Sequence, residues 1–316
     1  MIDYQWPYAE MDKKDISSEI KEFEKNVNLY SKIESFFSEL FQTHVILMPS
    51  GRASISLLIK YFKTNRSHIV FAPKWTSHCV WDMITRFANP SIDCSEKCDT
   101  IIAVHKWGNI EKLSKQYAAN IIEDSVDSLI INSKSLFPNN GDFEIISLPK
   151  IIGSYTGGLI LVKNKEKANS LRSHIADDIE LGKHQTRLRL KYSMKEEPEY
   201  FHWEDRENQN TTLDAMALEN IENCLKNFNI NQDIIIKRLD IISKKTSSTI
   251  QNDRLPPVFC VEVKNADIHP DIMIRNKNFS GFIDLPEFRK VGLIPLHFKA
   301  SDELFLFCLN ALCKIK

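Results

Sequence analysis

The sequence predicts an α/β fold, with a large unit built on a mostly parallel central sheet flanked by helices and a small C-terminal α+β unit. Two observations carry this. Short apolar runs at 44–48, 68–72, 101–104, 120–122, 143–146 and 159–162 read as strands, and segments with apolar residues at steps of three and four separate several of them. That alternation is the pattern of parallel strands joined by helical crossovers. Beyond residue 163 it weakens, and helices, a Pro256-Pro257 break and a short strand follow. The division is placed at 1–228 and 229–316.

Composition narrows the class. A chain of 316 residues is long enough for one large α/β unit and a smaller companion. A net charge of −1 argues against a general nucleic-acid-binding surface, although basic residues cluster at 183–191. The seven cysteines include no CxxC pair, and Cys94 and Cys98 have no second close pair to complete a zinc site, so no metal is expected. A scattered, odd set fits reduced thiols in the cytoplasm. The opening MIDYQWPYAEMDKKD lacks a basic segment followed by an apolar stretch, which predicts no secretory leader. No apolar run approaches the ~20 residues of a membrane span, so no membrane partner is expected.

In chain order, residues 16–42 carry one apolar helical face, and Ser31-Lys32-Ile33-Glu34 matches a capping box at which a second helix could restart. The strand at 44–48 runs into Pro49-Ser50-Gly51-Arg52-Ala53-Ser54 and a helix over 55–62. Small residues between a strand and a helix start make an anion site, because first-turn N–H groups and the helix dipole face the anion. Ser50 can cap, Gly51 allows close backbone approach, and Arg52 can add a charged fork. An ordinary capped helix reads the same way.

Trp75 falls just past the strand at 68–72, on the edge where open parallel sheets bind ligands. It is either a stacking platform or a core aromatic. A helix is expected at 79–87 and a short one at 110–117. Asp124 follows the strand at 120–122, a costly place for an unpaired charge, so it needs a positive partner from protein or ligand. Glu123 is expected to cap or face solvent.

Residues 141–158, GDFEIISLPKIIGSYTGG, set Lys150 on a turn between two apolar segments. It is either a surface lysine or an amine held in a pocket. Burial disfavours the charged form, so a pocket lysine has a lowered pKa and becomes a nucleophile toward carbonyls. Helices are then expected at 165–179, 211–228 and 233–246, with a long loop at 182–210. Strands are expected at 258–263 and 279–283. A terminal helix covers 301–313, with Ser301 as N-cap and Asp302-Glu303 in its first turn.

Read together, these stretches resemble the pyridoxal-phosphate (PLP) sugar aminotransferases of the DegT family, which have PLP fold type I. Ser50-Gly51-Arg52-Ala53-Ser54-Ile55 resembles the family's Ser-Gly-Thr-x-Ala-Leu phosphate turn, and Pro73-Lys74-Trp75-Thr76-Ser77 its ring-stacking turn. Val104-His105-Lys106-Trp107-Gly108 resembles Val-His-x-x-Gly, and Ile122-Glu123-Asp124-Ser125-Val126-Asp127 resembles Ile-Glu-Asp-Ala-Ala-His/Gln. Residues 147–158 resemble the lysine segment with its trailing Gly-Gly, and Ile294-Pro295-Leu296-His297 with Ser301-Asp302-Glu303 resembles the closing Leu-Pro-Leu-His…Ser-Asp-Glu. The order and spacing of the pieces carry the resemblance over most of the chain.

The resemblance implies PLP as cofactor, Lys150 as its Schiff-base lysine and Asp124 as partner of the ring nitrogen. It puts Trp75 on the ring face and Asp127 near the phenolic oxygen. It puts Ser50, Gly51, Arg52, Ala53 and Ser147 at the phosphate, and Asn210 on a partner subunit's phosphate in a homodimer. Arg52 stands where the family has Thr, Asp127 where it has His or Gln, and Ser147 lies closer to Lys150 than in most members. The implied reaction moves an amino group, typically from glutamate, to a keto sugar, nucleotide-linked, for surface polysaccharide or related sugar biosynthesis. His184, Arg187 and Arg189 are either a solvated loop or contacts to the sugar nucleotide's diphosphate. A PLP lyase or decarboxylase on the same fold, and a non-catalytic binding or regulatory homologue, are the competing readings. Members that dehydrate sugars carry His in place of the lysine, which Lys150 disfavours.

Overall fold

The structure is a computed structural model that describes residues 27–93, 97–113, 120–131, 133–176, 184, 212–246, 253–263, 274–277 and 289–313. Its strands in the first half are β1 (His44–Met48), β2 (Ile69–Phe71), β3 (Asn89–Ser91), β4 (Thr100–Val104), β5 (Asn120–Asp124), β6 (Leu129–Ile130), β7 (Phe143–Ser147) and β8 (Gly158–Val162). Seven of them form one sheet in the order β1-β8-β7-β5-β4-β2-β3. The pairs from β7 to β3 are parallel, whereas β8 is antiparallel to both β1 and β7. One strand out of seven is therefore reversed, and the sheet is of the mostly parallel kind that the sequence predicts.

The apolar runs form strands because both faces of the sheet are covered. Side chains alternate along β1 and β8 with the period of two that a pleat imposes. Val45, Leu47, Leu159 and Leu161 pack with Ile33, Phe37 and Phe41 of helix α1 (Val27–Phe41). Ile46, Met48, Ile160 and Val162 pack on the other side with α2 (Gly51–Tyr61) and α3 (His78–Phe87). Helices α4 (Leu148–Ile152) and α5 (Lys165–Arg172) flank β8 in the chain, and α6 (Ala215–Leu225) and α7 (Phe228–Thr246) follow. The last part holds a small antiparallel sheet, β10 (Val258–Glu262), β12 (Arg289–Pro295) and β11 (Ile274–Lys277), and helix α8 (Asp302–Leu312). Strand β9 (Arg254–Leu255) pairs with β6 and ties this part to the large sheet's loops. No described helix is long and apolar enough to cross a membrane.

Several expectations shift for identifiable reasons. Helix α1 runs unbroken through Ser31, so the capping-box pattern there starts no second helix. Residues 110–113 are not helical. The amides of Glu111 and Leu113 donate to the His105 ring and the Asn139 side chain instead of to helical carbonyls. The helix expected from 211 starts at Ala215, because Asp214 caps it by accepting from the Ala217 amide. Ser301 caps α8 as expected, at 3.2 Å from the Leu304 amide. The strand expected at 279–283 lies outside the described residues.

Candidate active site

Because β1, β2, β4, β5 and β7 point the same way, the turns that follow them collect along one edge of the sheet. β8 runs backwards and contributes its first residue there: Gly158 pairs with both Met48 and Ser147. All the strand-end residues singled out in the sequence therefore meet at one place.

The first wall is the turn from β1 into α2. Ser50, Gly51, Arg52 and Ala53 are buried. The Ser50 hydroxyl caps the helix by accepting from the Ala53 amide at 3.1 Å. Gly158 lies against this turn so closely that a Cβ on it would stand 2.6 Å from the Ser50 carbonyl carbon and 2.8 Å from the Gly51 nitrogen. Thr156 and Gly157 hold the same turn from below, both donating to the Pro49 carbonyl. An eleven-residue helix with a small-residue start, fixed from several sides, suits an anion.

The second wall is the end of β5. Asp124 is 1% exposed. One carboxylate oxygen accepts from the Val126 amide, and Oδ2 has no hydrogen-bond partner. Burial, then the like charge of Asp127, push its pKa up to about 7. The following turn, closed by the Ser128 amide on the Ser125 carbonyl, brings Asp127 to the same side. Val126 touches Gly51, so this turn abuts the first wall.

Lys150 closes the site. It sits in the short helix α4, not on an open turn, and its Nζ donates to Asp127 Oδ1 at 2.6 Å. Burial acts to lower its pKa, but the charge and hydrogen bond of Asp127 outweigh burial and the net direction is upward. The lowered value expected for a pocket lysine is thus not what this arrangement gives, because the pocket contains a carboxylate partner. Ser147 is the N-cap residue of α4, yet its side chain makes no capping bond.

Trp75 is buried at the end of β2. Lys106 lies over its ring at 5.6 Å and over the Trp107 ring at 5.1 Å. Lys106 also acts on Asp124, favouring its ionised form. It is the site residue that sequence reasoning missed, although its position after β4 repeats the strand-end logic that found Trp75 and Asp124. Trp107 itself has φ 49° and ψ 48°, an uncommon conformation for a bulky residue.

Glu123 corrects an expectation. It is fully buried rather than capping or solvated, and it accepts from the His105 ring and from Asn139 and Gly141. His105 Nδ1 accepts the Glu111 amide, which puts the ring proton on Nε2, facing Glu123. These bonds hold the carboxylate's pKa below its ordinary value against the opposing effect of burial. Of the other candidates, His184 is an exposed residue in helical conformation, and Arg187, Arg189 and Asn210 lie outside the described residues. Among the described residues no group of three or more His, Cys, Asp or Glu could hold a metal ion.

The fold matches PseC of Helicobacter pylori, an aminotransferase involved in the biosynthesis of pseudoaminic acid, with TM-score 0.66 and 13% identity over 99% of this chain and 98% of that one. It matches the aminotransferase TlmJ of Streptoalloteichus hindustanus with TM-score 0.66 and 12% identity, over 99% and 98% of the two chains. A DegT DnrJ EryC1 StrS aminotransferase of Brucella abortus gives TM-score 0.63 and 15% identity, over 95% and 92%. At these identities the likeness is one of fold, PLP fold type I. No curated protein matches the sequence. Residues 33–314 match the family described as "Putative PLP-dependent aminotransferase". That match spans nearly the whole chain, so the protein belongs to this family of PLP-dependent aminotransferases.

Proposed function

We propose that this chain transfers an amino group from glutamate to a keto sugar, nucleotide-linked, in surface polysaccharide or related sugar biosynthesis. The sugar class is supported by the shared fold with PseC and the DegT-type structure. The observation that carries the site assignment is Asp124 Oδ2, buried and without a hydrogen-bond partner at the edge where Lys150, Trp75 and the start of α2 converge. A buried carboxylate oxygen in that state calls for a positive donor. A protonated pyridine nitrogen is such a donor, so the residues present fit PLP.

In this reading Asp124 would accept the ring nitrogen's N–H, Trp75 would stack on the ring, and the turn of Ser50, Gly51, Arg52 and Ala53 would receive the phosphate, with Ser147 beside it. When bound, PLP supplies an electron sink for charge developing on a substrate carbon. Lys150 would be the lysine that holds the cofactor at its aldehyde, and its amine would carry a proton to and from the reacting carbon. His184, Arg187 and Arg189 contact the diphosphate, and Asn210 reaches the phosphate of a partner subunit in a cytoplasmic homodimer. The large unit, 1–228, holds the cofactor, and the small unit, 229–316, helps shape the substrate pocket.

The experiment is a half-reaction followed by a screen. The PLP-loaded protein is mixed with glutamate, and the cofactor absorption and 2-oxoglutarate are followed. Keto sugar nucleotides are then added and the products read by mass spectrometry. Conversion of the cofactor with release of 2-oxoglutarate, then a product carrying nitrogen in place of the ketone oxygen, is expected. No 2-oxoglutarate overturns the donor, and amination confined to keto acids overturns the sugar class.

A further inference from the structure

We propose that Asp127 is a proton-holding residue for Lys150: it pairs with the ammonium in the cofactor-free chain and takes the proton that Lys150 must shed before its nitrogen can attack an aldehyde carbon. The proposal rests on the reading of Lys150 as the cofactor lysine.

The geometry is direct. Lys150 Nζ stands 2.6 Å from Asp127 Oδ1, and the two side chains keep only 29% and 10% of their surface exposed. A charged pair at that distance and burial is screened far less than a surface pair. Asp127 is delivered by the turn after β5, and Lys150 by α4, so the pairing joins two separate elements of the sheet edge. Asp124, three residues earlier, makes no hydrogen bond to the amine: one oxygen accepts the Val126 amide and the other has no hydrogen-bond partner.

Other groups also act on the amine. Cys79 on α3 and Asp124 at the end of β5 favour the ammonium, and burial opposes it. Lys106, on the turn after β4, acts on Asp124. The balance keeps Lys150 charged, and a charged amine has no lone pair to offer. A neutral His or Gln amide at 127, as in the resembling family, could not hold the ammonium this way. The carboxylate both creates the barrier and supplies the acceptor.

The step balances. The proton moves from Lys150 Nζ to Asp127 Oδ1, leaving a neutral amine and a carboxylic acid. The freed lone pair forms the bond to the aldehyde carbon. The two hydrogens left on the nitrogen depart with the carbonyl oxygen as water, and Asp127 retains the first proton.

The test uses the cofactor-free full-length protein, so its outcome is separable from that of the transamination experiment. Limiting 2,4,6-trinitrobenzenesulfonate is applied across a pH series, and labelling of Lys150 is measured by peptide mass spectrometry against the exposed Lys63 and Lys165. In the wild type, Lys150 should label with a midpoint above those references. Asp127→Asn should move the midpoint down and raise labelling at pH 8 by roughly fivefold or more, since the stabilised ammonium is lost. Asp127→Glu should keep the slow labelling, and circular dichroism checks that each variant is folded. A wild-type Lys150 that labels at or below the reference midpoint overturns the proposal even if no variant folds. Equal labelling in wild type and folded Asp127→Asn overturns it as well.

Discussion

The carboxylate of Asp124 costs the cofactor-free chain stability. Its pKa in the folded chain is about 7, against an ordinary 3.8. Between those values the folded chain holds more protons than the unfolded one, so stability falls as pH rises through that window and levels off above it. Asp124→Asn removes the charge and keeps an oxygen for the Val126 amide. The cofactor-free variant should therefore be more stable than wild type at pH 7.5 by ~1–3 kcal/mol, with the gain shrinking toward pH 4. Urea unfolding at three pH values checks this, and a pH-independent difference would refute it. The same variant should retain cofactor yet lose turnover by roughly 100-fold or more, because on the proposed assignment the ring nitrogen loses its anionic partner. Stability and activity should then move in opposite directions at one residue, the pattern of a group kept for chemistry rather than for packing.

At the scale of elements, the contact between β8 and the start of α2 fixes the turn proposed to receive the phosphate. Gly158→Ala puts a methyl carbon 2.6–2.9 Å from backbone atoms of Ser50 and Gly51, which no rotamer change relieves. The turn must move away, at a cost of ~1–3 kcal/mol. PLP affinity, read by absorbance titration, should fall by roughly tenfold or more, while secondary structure by circular dichroism stays near wild type. Unchanged affinity would show that the turn is not where the phosphate binds. These elements were legible in the sequence because their signals are local. Residues 45–48 and 159–162 are continuous apolar runs bounded by proline or glycine, and Ser50-Gly51 marks a helix start. β6 and β9 were not legible, since two residues carry no period and their pairing is a tertiary event. Glu123 and Lys106 were missed for a related reason. A Glu followed by Asp reads as solvated charge until the Asn139 and Gly141 amides fold over it, and nothing local aims Lys106 at Trp75.

At the scale of the molecule, a buried cluster among the described residues links the later part of the chain to the edge that carries the candidate site. Arg254, at the start of β9, is fully buried and donates to the Ser125 hydroxyl, the Ser135 carbonyl and Glu144. Glu144, on β7, is also fully buried and accepts in addition from Ser125 and the Phe137 amide. Ser125 is the neighbour of Asp124, so a residue 129 positions later in the sequence fixes the turn that carries both site carboxylates. Gly108, after Lys106 and Trp107, packs against the Arg254 carbonyl, which extends the same support to the next turn. A buried pair of this kind adds little beyond an apolar pair, but removing one partner strands the other charge. Arg254→Met should thus cost ~3–5 kcal/mol, and Glu144→Gln in the same background should restore part of that loss rather than add to it. The single variant should also bind PLP more weakly, since the Ser125–Ser128 turn loses its anchor. A double-mutant cycle by urea unfolding, with cofactor titration on the same samples, decides the matter. Additive losses would mean that the two side chains act independently, and unchanged PLP affinity in a destabilised Arg254→Met would confine the cluster's role to the fold.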